Sequence, residues 1–329
     1  MLMRQQKFGE KMRTVTKHVG QRVALHQRGD VMLKQQTKKR LWIYFLFTLV
    51  AVAAFSVIRT WMCLNRLNLT QELFYPNDIL TKGMHWGIGV VTALLCTVGF
   101  VPKNTFETLF MLDDADSLVD SVNNGFFSIF ANAVSGCLLC GAGILTVPRL
   151  SETVQAHLTN QFGSVQHVFT ILLCISAIPA ALYFFCKAAM RRPSKNLLTL
   201  FGLGVVLWHI SLIISTYFDI SVAINSPIKI LDQFSFMFTM IYFLNECREH
   251  IGTPRPRFHL AIAFPALFLS AVSAIPNLIT QLYNPEHQLS VPIIYCAVQL
   301  AFCLHIIADL IGRLHSVSND VPNIVTRAE

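Results

Sequence analysis

Eight runs of about twenty apolar residues, separated by short polar connections, constrain this chain more than any other feature. A helix rises 1.5 Å per residue, so roughly 20 residues cross the hydrocarbon core of a bilayer. The runs lie at 41–63, 83–101, 125–147, 166–187, 197–217, 228–245, 258–278 and 290–312. Each must be helical, because an open strand in lipid leaves backbone groups unpaired. The sixth run is the weakest, with Asp232 and Gln233 in its first turns. The expected fold class is an all-α integral membrane protein: a bundle of about eight transmembrane helices over 41–313, with the N-terminus and C-terminus cytoplasmic. A basic tail over 1–40 precedes it and a short tail over 314–329 follows. Composition agrees, since only 13% of residues are charged against about 25% in a soluble domain. That leaves too little polar surface to coat a soluble globule.

Orientation follows from the Lys and Arg of the connections, which collect on the cytoplasmic side. Eleven of the 26 lie in residues 1–40. With that side inside, the other inner segments hold Lys103, then Lys187, Arg191, Arg192 and Lys195, then Arg248, Arg255 and Arg257, then Arg313 and Arg327. The outer side has Arg66, Lys82, Arg149 and Lys229. Dropping one span would turn a basic loop outward, so count and orientation support each other. Amphipathic rings prefer the interfaces. Trp42, Tyr44, Tyr183 and Tyr242 fall near inner boundaries, and Trp61, Trp86, Tyr217 and Tyr283 near outer ones.

The basic tail suits an anionic leaflet better than a nucleic acid, so lipid is the expected partner. Phe8, Met12, Val15, Val19 and Val23 recur at helical spacing, as in a helix lying on the membrane surface. A start at Met32, leading straight into the first span, fits equally well. The expected location is a cell membrane of the bacterial plasma-membrane type.

Ionisable groups inside spans are costly and are candidate functional residues. Arg59 and Asp232 sit at similar outer depth on the first and sixth runs; they either pair within the bundle or reach outward to headgroups and loop water. His305, Asp309 and Arg313 follow one another at i, i+4 and i+8 on one face of the last run. That stripe offers a proton relay, since histidine changes charge near neutral pH. Otherwise it staples the inner end of the helix to a neighbour such as Glu246. His209 and His85 stand alone, as core histidines usually do. LWH at 207–209 and HIIAD at 305–309 resemble, over those few residues, the histidine motifs of the CAAX-processing type of intramembrane protease. That family also requires a Glu-Glu pair with an arginine four residues on, which this sequence lacks, so no catalytic site is carried over.

Cys137 and Cys140 form a CxxC within SGCLLCGAG. Burial there disfavours a thiolate, and Ala133, Cys137 and Gly141 read instead as a small-residue stripe for close helix approach. The third span is thus the candidate surface for a membrane partner or a second copy. Asp113, Asp116 and Asp120 share a helical face that would suit a hard cation, though a solvated acidic face is the simpler reading. Pro179, Pro265 and Pro276 are expected to kink their spans. No HExxH, P-loop or dinucleotide fingerprint occurs, and no cofactor is expected. The functional expectation is a non-enzymatic permease or a membrane-embedded sensor or scaffold; the alternative is an intramembrane enzyme using His305 and Asp309.

Overall fold

A computed structural model describes residues 39–68, 73–74, 78–100, 125–159, 161–189, 194–219, 226–253, 255–285, 289 and 291–319. The stripe over Phe8–Val23 and the acidic face of Asp113, Asp116 and Asp120 lie outside the described residues. Eight long helices are described: α1 (Lys39–Arg66), α2 (Ile79–Cys96, with a 3-10 turn over Thr97–Phe100), α3 (Phe126–Thr159), α4 (Gln161–Ala189), α5 (Lys195–Tyr217), α6 (Pro227–His250), α7 (Pro256–Tyr283) and α8 (Ile293–Asn319). Seven of them are long and apolar enough to cross a membrane; α6 is long enough but too polar. This is an all-α bundle of the multi-pass membrane type. A two-residue antiparallel ladder, β1 (Leu67–Asn68) with β2 (Leu73–Phe74), lies between α1 and α2.

Helices α3 to α8 close a ring: each packs on the next, and α8 returns to α3. The α1–α2 pair packs outside this ring against α7. Phe55 on α1 meets Phe268 on α7, and a Cβ at Gly87 on α2 would touch the Phe55 ring at 3.0 Å. Burial follows the same plan. The apolar stretch of α7 is 78% buried, whereas that of α2 is 17% buried and leaves Trp86 and Val90 on the surface. An apolar exterior is what lipid contact permits and water does not.

Two glycine pairs set the closest approaches. A Cβ at Gly202 would lie 2.5 Å from Cys247 Sγ, and one at Gly204 would lie 2.8 Å from the Pro179 ring, drawing α5 onto α6 and α4. Gly136 and Gly143 do the same for α3 against Phe185 and Ala177 of α4. The stripe expected at Ala133, Cys137 and Gly141 is therefore not where helices meet most closely. Cys137 and Cys140 are exposed, and the nearest atom to a Cβ at Gly141 is Ile294 Cδ1 at 3.9 Å. The helical phase explains this correction, since residues 136 and 143 lie on one face, away from 137. Helices α3, α4 and α7 continue through Pro148, Pro179, Pro265 and Pro276. Helix α3 also runs on past residue 147, where its apolar run ends, to Thr159.

Candidate functional site

Helix α6 is polar along one complete side. Lys229, Asp232, Ser235, Thr239, Tyr242 and Glu246 recur every three or four residues, and each is at most 2% exposed. From Lys229 to Glu249 the helix rises about 30 Å, the thickness of a hydrocarbon core. These side chains face the interior of the ring, and α7, α8 and α4 answer them one by one. We call the end where α6 finishes and α7 begins the base, and the opposite end the crown.

At the crown, Lys229 donates to the Asp219 carbonyl at 2.7 Å. Asp232 accepts from Ser273 and from both approaches of Asn277 Nδ2, at 2.9 and 3.1 Å. Midway, Gln299 on α8 donates to Ser235 at 3.0 Å, and Thr239 pairs with Ser270 on α7 at 2.7 Å. Ser235, Thr239, Ser270 and Ser273 each find a partner on a neighbouring helix, as buried hydroxyls usually do.

The base is the most charged part of the interior. Glu246 pairs with Lys187 of α4 and lies 3.3 Å from His305 Nε2. The other ring nitrogen of His305 is 2.9 Å from Asn132 Oδ1 on α3. Asp309 accepts from Tyr242 Oη at 3.0 Å, from His259 Nε2 at 2.8 Å and from Arg313 Nε at 2.9 Å. Arg313 grips Glu249 with its remaining two nitrogens, at 2.6 and 3.3 Å. Asn245 approaches His259 Nδ1 at 3.0 Å, and Tyr183 approaches His250 at 3.3 Å. Five helices are thereby tied together by charge-assisted bonds, which are stronger than neutral ones.

The charges do not cancel on fixed groups alone. Three carboxylates, Glu246, Glu249 and Asp309, meet two permanent cations, Lys187 and Arg313. Two histidines stand among these charges: His259 faces Asp309 at 2.8 Å and Glu249 at 3.3 Å, and His305 faces Glu246 at 3.3 Å. Phe184 and Phe243 pack on the His305 ring, and Phe302 stacks on Phe184.

The sequence candidates fall into separate places. His305, Asp309, Arg313 and Glu246 are brought together at the base. Arg59 and Asp232 do not pair: Asp232 is held by α7, and Arg59, 1% exposed, has no hydrogen-bond partner for Nε or Nη2 among the described residues. His209 donates from Nδ1 to the Val205 carbonyl, 2.8 Å away, and lies among Phe243, Phe302 and Trp208. His85 sits against Phe74 near the crown. Tyr183 and Tyr242, expected at the inner interface, are fully buried instead, because their hydroxyls serve the polar network. Lys187 and Tyr242 were read from sequence only as boundary residues, and Asn245, Glu249, His259, Ser235 and Thr239 were not singled out. The regular polar spacing within KILDQFSFMFTMIYFLNECREH was the available signal. Among the described residues, no group of three or more His, Cys, Asp or Glu is arranged to hold a metal ion.

The chain matches no protein-family model, no curated protein and no solved structure.

Proposed function

We propose that this protein is a proton-linked permease of a cell membrane, with α6 as its eighth span and as the lining of the route. The observation that carries the reading is the buried polar side of α6, which runs from crown to base inside a closed ring. A helix facing lipid would shed such residues, since each ionised group at depth costs roughly 2.5–3.5 kcal/mol on insertion scales. A helix facing a route would keep them. The polarity that sets α6 apart from the seven apolar helices then has a purpose.

Orientation supports the same account. At the base lie Lys39, Arg40, Lys187, Lys195, Arg248, Arg255, Arg257 and Arg313, against Arg59, Arg66, Lys82, Arg149 and Lys229 toward the crown. The base is thus the cytoplasmic side, and it holds the start of α1 and the end of α8. An intramembrane enzyme is less well supported. His209 is engaged by a backbone carbonyl and aromatic rings rather than meeting His305 and Asp309.

The test is proton flux. Protein reconstituted in vesicles containing a pH-sensitive dye should acidify the lumen faster than empty vesicles after an external acid pulse, with potassium and valinomycin clamping the potential. Asp232→Asn and Glu246→Gln should each remove most of that excess. Flux equal to empty vesicles in folded wild-type protein, across a panel of added solutes, would rule the reading out.

A further inference from the structure

Arg59 is the one deeply buried cation of the crown whose binding capacity is unspent among the described residues. It forms no ion pair with a described carboxylate, and its Nε and Nη2 lack hydrogen-bond partners there. An arginine stays charged at every accessible pH, so it cannot escape burial by losing a proton. The two open nitrogens are not a random pair. Nε–H and the adjacent Nη2–H form one edge of the guanidinium, whose parallel donors match the two oxygens of a carboxylate or phosphate.

Its surroundings point the same way. Arg59 lies one turn beyond Phe55, the residue at which α1 meets α2 and α7, so it occupies the junction of those three helices. His85 of α2 is within electrostatic reach of it. One turn below on the same buried face, the Ser56 hydroxyl is also unpartnered. Hydroxyls of this kind donate readily to an oxyanion. Arg257 also leaves Nε and Nη2 without a partner, but it lies in the first turn of α7, at the base, and the residue as a whole is only partly buried.

We infer that Arg59 is the anchor of an oxyanion site at the crown junction of α1, α2 and α7, taking a carboxylate or phosphate group. Calling that group the cargo rests on the permease reading; the site itself does not. An anionic cargo would suit a carrier with a proton site at its base, because the pair moves with no net charge.

The experiment is thermal unfolding of the full chain in phosphatidylcholine nanodiscs, titrated with sodium acetate or inorganic phosphate against sodium chloride of equal ionic strength. Wild type should show a saturable rise in melting temperature with one of the oxyanions. Arg59→Met should weaken the apparent affinity at least tenfold, and in chloride alone it should be no less stable than wild type, because it removes an uncompensated buried charge. A merely structural arginine would lose stability instead. Arg59→Lys, which keeps the charge and loses the fork, should also bind at least severalfold more weakly, and it serves if the methionine variant does not fold. A parallel titration in discs containing phosphatidylglycerol separates the sources. An Arg59-dependent stabilisation seen only there identifies a lipid headgroup phosphate, and one seen with acetate or phosphate identifies a solute; both support the site. No oxyanion or phosphatidylglycerol effect on wild type, or an effect unchanged in both variants, overturns it. Arg59-dependent binding without proton flux would sink the permease reading and leave the site standing.

Discussion

The two ends of α6 handle buried charge differently. At the base, Glu246 and Asp309 are each matched by a cation on another turn or helix, and Arg313 completes Glu249 with two bonds. At the crown, Ser273 and Asn277 donate to Asp232, and Arg59 keeps an edge with no hydrogen-bond partner among the described residues. The base is a circuit of paired charges, and the crown keeps a buried guanidinium edge without a described partner. A stable bundle needs only the first arrangement. The second has no stabilising purpose, since an unsatisfied buried group costs free energy, and costly features persist where they are used.

The difference is broken most severely at Lys187. Lys187→Met strands Glu246 in the interior, and removing one partner of a buried pair costs about 3–5 kcal/mol. A marked loss of melting temperature in detergent is expected, and Lys187→Met with Glu246→Gln should recover most of it. Equal melting temperatures for the single and double variants would show that the pair is not coupled. Asp309→Asn should come next. It keeps the shape but removes the charge that holds His259 and Arg313, at a cost of about 2 kcal/mol, the range for hydrogen bonds to charged groups. A stability unchanged from wild type would detach Asp309 from the base circuit.

Thr239→Val separates stability from transport. The variant loses two neutral bonds, to the Ser235 carbonyl and to Ser270, each worth about 1 kcal/mol or less, so its melting temperature should fall by only a few degrees. Its proton flux should fall severalfold, because Thr239 stands between crown and base in the α6 row. A flux equal to wild type would mean that the route bypasses the middle of α6. The smallest effect belongs to Asp78, outside the spans, where the Thr81 hydroxyl and then Arg66 hold its carboxyl below the usual range, against a raising effect of desolvation. Its contribution is present above the unfolded carboxylate pKa and is lost as pH falls through the lower folded value. Asp78→Asn should therefore differ from wild type only slightly, and the two melting curves should converge as the medium becomes strongly acidic.

Legibility in the sequence followed the range of the interactions. The apolar runs are local, and seven reappear as apolar helices. The stripe of His305, Asp309 and Arg313 was visible because i and i+4 neighbours meet within one helix; the Arg313–Asp309 bond is of that kind. His259, Tyr242 and Lys187 were not visible as members of the same cluster, because packing of separate helices brings them there. Ending the sixth run at residue 245 also cut away Glu246, Glu249 and His250, since polarity was read as the edge of a span. In α6 polarity marks an inward face. Tyr183 and Tyr242 misled for the same reason: an amphipathic ring near a span end suits the interface and a buried network equally well until its neighbours are known.

The central claim is that the buried polar row of α6, from Asp232 to Glu246, lines the proton route. The most direct measurement is the proton flux of Asp232→Asn, Thr239→Val and Glu246→Gln in the same dye-loaded vesicles, each corrected for the amount of folded protein. The account predicts that all three carry severalfold less flux than wild type, although Thr239→Val loses only neutral bonds. Flux at the wild-type level in all three would contradict it.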